Sequence, residues 1–441
     1  MTSRLRGMTG FTVIWAGQFV SLLGTSMTNF ALTIWAWEQT GQATALALVQ
    51  LFFFAPQILM SPLAGALVDR WNRKLVMMLS DVTTGLGTLT IFMLLRADAL
   101  QIQHLYLVSA FMGAFQSFQF PAYSAAVTTM LSKEQYTRAS GMLALAQNAS
   151  GIFGPAAAGA LLGVIGKTGI IAFDLLSILI AILALLAVPI PQPPTTAAAS
   201  KRPSLLQDSL YGFRYIAARP SLLGLQLIFF VINFTGSLCF PLMAPMILSK
   251  TGNDTVILGV VQSAFGAGGV AGGVFLSAWG GPRKRVNGVL LGMLGTFLLG
   301  FILMGVGTST PVWAAAAFTI LFFNPLTNGS SQAIWQSKVP PEVQGRVFSA
   351  RALIAQISAP IAMAITGPLT DRFLTPAMMP GGSLAPLFGW AVGTGAGAGP
   401  ALLFLLMGVA GGATSLGAFL FPHIRDVESI IPDHDAVAPK S

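Results

Sequence analysis

Residues 44–95 read TALALVQLFFFAPQILMSPLAGALVDRWNRKLVMMLSDVTTGLGTLTIFMLL. Two apolar runs, 44–68 and 75–95, flank a short charged segment at 69–74. Each run has about the 20 residues that an α-helix needs to cross the hydrocarbon core of a bilayer. The stretch therefore predicts a helical hairpin in a membrane, with its basic turn at one surface.

The composition of the whole chain agrees with a membrane protein. Of its 441 residues, 54% are hydrophobic and 8% are charged, and the mean hydropathy is +0.75. Soluble domains carry about 25% charged residues, and disordered chains combine low hydrophobicity with high charge, so both classes are excluded. The single cysteine, Cys239, excludes an intrachain disulfide and a cysteine metal cluster. The net charge of +9 is spread between apolar runs, which argues against nucleic-acid binding.

Apolar stretches of spanning length recur as six followed by six, and we number them as spans 1 to 12. A lipid-embedded backbone must satisfy its own hydrogen bonds, and no alternating strand pattern is present, so all are predicted to be helices. The predicted fold class is an all-α polytopic membrane protein with 12 transmembrane helices in two six-helix bundles. The spans are 11–37, 44–68, 75–95, 104–130, 141–165, 168–189, 221–247, 255–279, 286–306, 311–337, 347–372 and 399–421.

The break between the halves reads PIPQPPTTAAASKRPS (189–204) and has the composition of a linker. Apolar residues at helical spacing in 205–219 predict an amphipathic helix on the membrane surface. The predicted domains are 1–189 for the N-terminal bundle, 190–220 for the cytoplasmic linker, 221–422 for the C-terminal bundle and 423–441 for the tail.

The basic residues predict the orientation. With the N-terminus in the cytoplasm, 19 of the 23 Lys and Arg residues fall on the cytoplasmic side, as the positive-inside rule requires. We therefore expect a multi-pass protein of the plasma (inner) membrane with both termini cytoplasmic.

The two halves of the chain also share a sequence pattern. In span 5 Arg138 precedes Gly154-Pro155 by sixteen residues, and in span 11 Arg351 precedes Gly367-Pro368 by the same distance. Parallel repeats in a chain of six plus six spans indicate a transporter that works by alternating access.

Asn and Gln side chains are concentrated in eight of the spans, whereas spans 3, 6 and 12 have none. An amide that faced lipid would cost free energy, so these side chains should face a cavity or another helix. We expect the eight spans to line a cavity and every third span to support it from outside, although interhelical hydrogen bonds would explain any single amide equally well. The candidate cavity residues are Asn29, Gln50, Gln57, Gln116, Gln119, Tyr123, Asn148, Gln226, Asn233, Gln262, Asn324, Asn328, Gln332 and Gln356.

No Lys or Arg is expected in the middle of a span, which disfavours a phosphorylated or strongly anionic substrate. Amides, aromatic residues and 18 methionines suit a bulky, amphipathic and roughly neutral molecule. The residues thus predict a small-molecule substrate and a lipid environment, with no cofactor, no metal site and no enzyme motif.

The end of span 2 and the charged turn that follows it carry a motif. Gly65-Ala-Leu-Val-Asp69-Arg70, followed by Arg73-Lys74, resembles the G-x-x-x-D-R-x-x-R-[KR] signature of the major facilitator superfamily. That resemblance implies a charge latch that closes the cytoplasmic side against span 11, near Gly345-Arg346. The alternative is a set of positive-inside anchors with a local ion pair. The gating candidates are Gly65, Asp69, Arg70, Arg73, Lys74 and Arg346.

Span 5 carries a second motif. Gly154, Pro155 and Gly159 resemble the family's antiporter signature, G-x8-G-x3-G-P-x2-G-G, with Ser150 and Ala158 replacing two glycines. The signature implies an exporter, and the alternative is a generic packing seam of small residues. Gly367 and Pro368 are its counterparts in span 11.

Longer stretches narrow the resemblance. Phe120-Pro121-Ala122 and VPPEVQGRVFSA (339–350) resemble the branch that holds macrolide efflux pumps, enterobactin-type siderophore exporters and related drug:proton antiporters. Two departures matter: span 4 lacks the arginine that many relatives tie to proton movement, and Thr25 stands where relatives often have an acid. The proton carrier therefore cannot be transferred from the family.

Two acids remain inside the predicted spans. Asp81 lies about 10 Å into span 3 by helix rise, and Asp174 lies one to two turns into span 6. An acid at such depth is expected to be partnered or protonatable. Because spans 3 and 6 are predicted to be outer helices, a structural ion pair of Asp81 with Arg70, Arg73 or Arg138 is favoured over proton coupling. Asp81 and Asp174 remain the proton-coupling candidates.

Together these patterns predict a monomeric secondary transporter that exports an amphipathic drug, antibiotic, siderophore or lipopeptide in exchange for protons. Two alternatives stay open. One is an importer of a neutral solute or a lysolipid flippase, and the other is a transport-dead sensor whose tail binds a partner.

Overall fold

In a computed structural model of the chain, residues 7–68, 71–132, 135–191 and 205–433 are described. All regular elements in these ranges are helical. The first half contains α1 (Gly7–Thr40), α2 (Ala43–Val68), α3 (Arg73–Arg96), α4 (Ile102–Met130) and α5 (Tyr136–Ala187). Residues 192–204 of the predicted linker (190–220) lie outside the described residues, and the predicted amphipathic helix follows as α6 (Leu205–Ala217).

The second half is more interrupted. Its elements are α7 (Pro220–Cys239), a 3₁₀ turn (Phe240–Leu242), α8 (Met243–Lys250), α9 (Thr255–Trp279), α10 (Arg285–Leu294), a π-helical turn (Gly295–Phe301), α11 (Ile302–Val306), α12 (Thr310–Phe322), α13 (Asn324–Lys338), α14 (Pro341–Leu369), a second π-helical turn (Thr370–Leu374), α15 (Thr375–Met378), α16 (Ala385–Val392), α17 (Ala398–Leu420), α18 (Pro422–Arg425) and α19 (Val427–Ile430).

Ten helices in the described ranges are long and apolar enough to cross a membrane, which confirms the all-α membrane fold class. The count of twelve stays a prediction. The ten treat Leu145–Ala187 as one helix, although Gly166 has φ 65° and ψ 178° and interrupts the helical backbone there. A positive φ of this size favours glycine, and Gly166 lies between predicted spans 5 and 6. The 29-residue helix α4 is not among the ten.

The contacts divide the chain into two units. The first comprises Met1–Thr196 and Thr251–Ser263, and the second comprises Ala197–Lys250 and Ala264–Ser441. In the first unit α1 packs along α5, and α2 packs along α4. In the second unit α7 packs along α14, which repeats the pairing of spans 1 and 5 in spans 7 and 11.

Helix ends in the first unit are fixed by local polar contacts. The side chain of Asn72 accepts hydrogen bonds from the backbone N–H groups of Lys74 and Leu75 and so caps the start of α3. Lys74 Nζ donates to the carbonyls of Leu186 and Val188, 2.9 Å from each, at the end of α5. A cation in this position stabilises the helix C-terminus and holds α3 beside the second half of α5.

The tail begins by docking on the second unit. Lys338 Nζ, at the end of α13, donates to the carbonyl of Glu428 (2.6 Å) and pairs with Asp433 Oδ1 (2.8 Å). Glu428 Oε2 accepts from the backbone N–H of Val286 in the first turn of α10 (3.0 Å). Residues 422–433 therefore join the ends of α10 and α13.

We expect Lys338→Met to release this segment, because the buried ammonium supplies both of its bonds to the tail and bonds to charged groups contribute about 1.5–3 kcal/mol each. Limited proteolysis of the purified protein measures the effect as faster cleavage within 422–433. Arg283→Met is the control, since the Arg283 side chain is exposed. Equal cleavage rates in the two variants would contradict the docking role.

Candidate substrate and ion site

The first unit encloses a cavity of about 440 Å³ between α1, α2, α3, α4 and α5. Its lining combines apolar and aromatic side chains, among them Phe53, Phe54 and Met112, with amides and hydroxyls. Two carboxyl groups, Asp81 and Asp174, also line it, whereas the described lining residues include no Lys, Arg or His. The cavity is thus an apolar chamber with fixed acids and no fixed base.

Asp81, on α3, is held by two amides. Gln18 Nε2 donates to Asp81 Oδ2 (2.7 Å), and Gln119 Nε2 donates to Asp81 Oδ1 (2.9 Å). Gln119 Nε2 also donates to Gln18 Oε1 (3.1 Å), which closes the cluster. The carboxyl is 7% exposed. Both of its oxygens thus accept from amides. The ion pair expected with Arg70, Arg73 or Arg138 stays a prediction, because Arg70 and the side chain of Arg138 lie outside the described residues.

Asp174, on the second half of α5, has different surroundings. It is 0% exposed, and its Oδ1 accepts a hydrogen bond from Thr25 Oγ1 (3.0 Å). Ser177 Oγ lies 3.5 Å from the same oxygen, whereas Asp174 Oδ2 is buried without a hydrogen-bond partner. Hydroxyls, rather than amides or cations, surround this carboxyl.

Residues on one face of α1 donate hydrogen bonds to both acids. Gln18 and Thr25 are seven residues apart, which is two helical turns and about 10 Å along the axis. Gln18 contacts Asp81 and Thr25 contacts Asp174. The two acids therefore line one cavity at different levels of α1.

The cavity brings together some of the predicted amides and leaves others out. Asn29, Gln50, Gln116 and Gln119 line it together with Gln18, another amide of span 1. Of the remaining candidates in this unit, Asn148 is exposed on α5, and Gln57 and Tyr123 are partly buried outside the lining. The ring of Tyr123 packs against Phe11, with centroids 6.3 Å apart.

The prediction that spans 3 and 6 only support the cavity from outside is wrong for this chamber. Helix α3 contributes Asp81, Thr84 and Thr88 to the lining, and the second half of α5 contributes Asp174. Counting amides alone missed these helices, because carboxyls and threonine hydroxyls are their polar groups.

In the second unit the predicted residues take separate positions. Gln226 Nε2 donates to the carbonyl of Arg351 (3.1 Å), and Gln332 Oε1 accepts from the guanidinium of Arg351 (2.7 Å). Gln262, on α9, belongs to the first unit, where it is partly buried outside the cavity lining. The other four candidates are exposed: Asn233, Asn324, Asn328 and Gln356.

Arg351 is a polar contact that the list of candidate residues does not contain. It lies ten residues after Pro341, the first residue of α14, which is about 15 Å along the helix. Its guanidinium also donates to Ser331 Oγ (3.1 Å) and lies 5.3 Å from the Trp335 ring centroid. The second unit thus has a partly buried cation near the start of predicted span 11.

The gating candidates are described only in part. Asp69 and Arg70 lie outside the described residues, as does the side chain of Arg346. Gly65 lies in the last turn of α2, and Arg73 begins α3. Lys74 bonds to carbonyls at the end of α5. The charge latch against span 11 stays a prediction.

The small residues of the span 5 motif lie at close helix contacts. A Cβ on Gly154 would overlap the side chain of Ser26 on α1, and a Cβ on Gly159 would lie 3.1 Å from the carbonyl oxygen of Thr255. Ser263 Oγ also donates to the carbonyl of Ile152 (2.7 Å). The motif therefore packs α5 against α1 and against the start of α9. Gly367 and Pro368 lie near the end of α14, where Pro368 is internal to the helix.

A sequence profile of the Major Facilitator Superfamily matches residues 14–363. The chain belongs to the major facilitator superfamily. It is 27% identical to macrolide efflux protein A of Streptococcus pyogenes over 369 residues, which cover 82% of this chain and 89% of that protein. It is 22% identical over 351 residues to the enterobactin exporter EntS of Escherichia coli O81 (strain ED1a), covering 78% of this chain and 81% of the exporter.

Solved structures show the same fold at lower identity. The bacterial homologue of the human lysosomal transporter Spinster, in an inward-facing and unoccupied conformation, aligns with a TM-score of 0.67 and 15% identity over 92% of this chain and 96% of that chain. The nucleoside transporter NupG aligns with a TM-score of 0.67 and 11% identity, covering 92% and 99%. Membership of the superfamily makes the chain a multi-pass membrane transporter of small molecules and not an enzyme.

Proposed function

We propose that this transporter exports an amphipathic small molecule in exchange for protons, by alternating access, as a monomer in the plasma membrane with both termini cytoplasmic. The observation that carries the proposal is the acid-bearing chamber of the first unit, in which Asp81 is buried and both of its carboxylate oxygens accept hydrogen bonds from neutral amides. A buried carboxyl held by neutral groups is suited to take up and release a proton.

The amide partners allow Asp81 to exist in either protonation state. A glutamine side chain presents two N–H donors at one end and a carbonyl acceptor at the other. In the present arrangement the N–H groups face the carboxylate, and Gln119 Oε1 is buried without a partner. Rotation of the Gln119 amide would turn this oxygen toward a protonated Asp81. The cluster can thus satisfy the charged form before a proton arrives and the neutral form afterwards.

The rest of the chamber fits an amphipathic cargo. Phe53 and Phe54 form an edge-to-face pair with centroids 5.4 Å apart, and both line the cavity with Gln50 and Gln116. Aromatic faces bury an apolar body while a few amides orient its polar groups. The relatives support this class of cargo, since they include a macrolide efflux protein and an enterobactin exporter. Resistance to macrolides is the corresponding phenotype.

Coupling requires that cargo and proton bind two conformations differently. We infer that the cytoplasm-facing state releases its proton from Asp81 and accepts cargo, whereas the outward-facing state releases cargo and accepts a proton. The Gly154-Pro155 motif supports this role, because its close contacts with α1 and α9 provide a tight surface along which packed helices can shift.

Transport in reconstituted vesicles tests the proposal. Proteoliposomes loaded with a radiolabelled macrolide, or with a fluorescent amphipathic dye, should release it faster when protons can enter down an imposed gradient. Adding a protonophore should return the release rate to the slower rate measured without an imposed gradient. Release that is unaffected by collapsing the gradient would reject proton coupling, and uptake in the opposite direction would favour the importer alternative.

A further inference from the structure

We infer that the pocket around Asp174 binds a small, hard monovalent cation, with the chemistry of Na⁺. The pocket is formed by the Asp174 carboxylate and by the hydroxyls of Thr25, Thr28, Thr88 and Ser177. These residues come from α1, α3 and the second half of α5, and all but Thr25 are at most 4% exposed. The site is separate from the amide cluster at Asp81.

Two oxygens in this pocket lack a hydrogen bond of normal geometry. They are Asp174 Oδ2 and Thr28 Oγ1, and both are buried. The hydroxyls of Thr28 and Thr88 are near enough to act on the Asp174 carboxylate, but the approach of Thr28 does not meet the distance and angle of a hydrogen bond. Unpaired buried oxygens are uncommon and costly, and each needs an explanation. A cation bound between them would satisfy both at once.

The donor set matches a hard cation. Carboxylate and hydroxyl oxygens are the ligands that hard ions prefer, and a hydroxyl can rotate to direct a lone pair at an ion. One carboxylate balances one positive charge, so a monovalent ion leaves the buried pocket neutral. Among the described residues, no group of three His, Cys, Asp or Glu side chains could hold a metal ion, which argues against a divalent ion.

Asp81 and Asp174 differ in the polar groups that surround their carboxylates. At Asp81, amide N–H groups point at both carboxylate oxygens, and these positive ends of dipoles would oppose a cation. At Asp174 the neighbouring groups are hydroxyls, which can accept as well as donate. One cavity therefore holds one carboxyl arranged for a proton and another arranged for a metal cation.

Gly24 provides the room for the pocket. A Cβ at this position would overlap Ser177 Oγ and would lie 3.0 Å from Asp174 Oδ1. The backbone of α1 can therefore approach the carboxylate closely enough to bring Thr25 and Thr28 beside it. The pocket around Asp174 therefore requires glycine at position 24.

This inference bears on the ions that accompany the proposed export, but it concerns equilibrium binding. The test measures binding without cargo or a gradient. The transport assay can therefore show proton-driven export while the binding assay shows no cation site. The binding assay can likewise show a cation site when export does not depend on protons.

Thermal unfolding of the purified full-length protein provides the test, with NaCl compared with KCl and choline chloride at constant ionic strength. A ligand that binds only the folded state raises the melting temperature in a saturable manner. We expect NaCl to raise it for the wild type and choline chloride not to do so. Asp174→Asn should abolish the response, whereas Asp81→Asn should retain it.

A milder pair of variants covers the case in which Asp174→Asn does not fold. Thr28→Val should increase the half-saturating Na⁺ concentration by about 10-fold or more, the range in which loss of supporting ligands weakens metal sites. Thr28→Ser keeps the hydroxyl and should bind as the wild type does. Equal responses to sodium and choline, a sodium response that survives Asp174→Asn, or stabilisation by low pH alone would each overturn the inference.

Discussion

Asp81→Asn reduces gradient-driven export to the level of protein-free vesicles, because asparagine fills the same space but cannot carry a proton. The substituted side chain can still bond to Gln18 and Gln119, which hold the wild-type carboxyl at 2.7 and 2.9 Å. We therefore expect the fold and the cavity to persist. Binding of a macrolide at equilibrium should change by less than about 10-fold, or ~1.4 kcal/mol. The measurement is the rate of macrolide release from proteoliposomes with and without a proton gradient.

Asp98→Asn is the matched control. Asp98 is exposed between α3 and α4, with φ 51°, a conformation that asparagine adopts readily. The same chemical change outside the chamber should leave coupled export intact. Full gradient-driven export by Asp81→Asn, or an equal loss in Asp98→Asn, would contradict the assignment of the proton to Asp81.

Gly272→Ala destabilises the second unit, whereas Gly273→Ala on the next residue does not. A Cβ on Gly272 would overlap the carbonyl oxygen of Phe322 and would lie 2.8 Å from its carbonyl carbon. Because these are backbone atoms, the two helices α9 and α12 must move apart. Overpacking of this kind costs about 1–3 kcal/mol, and each kcal/mol lowers the melting temperature of a domain of this size by roughly 2–4 °C.

Gly273 provides the control within the same helix, since no atom lies within 4 Å of the Cβ that a substitution would add. Its replacement by alanine should leave the melting temperature unchanged or raise it slightly, because the unfolded chain loses conformational freedom. Thermal unfolding of both purified variants compares them directly. Equal losses in the two would show that the contact between α9 and α12 does not depend on glycine.

The sequence is most informative where a single physical constraint acts on each residue. Hydropathy predicts the helices because a backbone in lipid must bond to itself, and Gly166, with its positive φ, lies at the predicted break between spans 5 and 6. The depth of a residue along a helix follows from the rise per residue. The sequence therefore identifies Asp81 and Asp174 as acids inside their spans without knowledge of any contact.

Contacts between distant helices were harder to predict. The pairing of Asp81 with Gln18 depends on the rotation of α1 and α3 about their axes, which composition does not specify. Charge attraction favours Arg70, Arg73 or Arg138 as the partner of Asp81, whereas an amide cluster of this kind has no comparable signal in the sequence. The depth of Arg351 depends on where its helix begins, and α14 begins at Pro341, six residues before the predicted span.

The most direct test of the central claim is a measurement of proton movement caused by cargo alone. Proteoliposomes containing a pH-sensitive dye, with no imposed gradient, receive a macrolide on the outside. Proton-coupled exchange through Asp81 predicts that macrolide entry drives protons out and raises the internal pH, and that Asp81→Asn removes this response. Entry of the macrolide into wild-type vesicles with no change in internal pH would contradict the account.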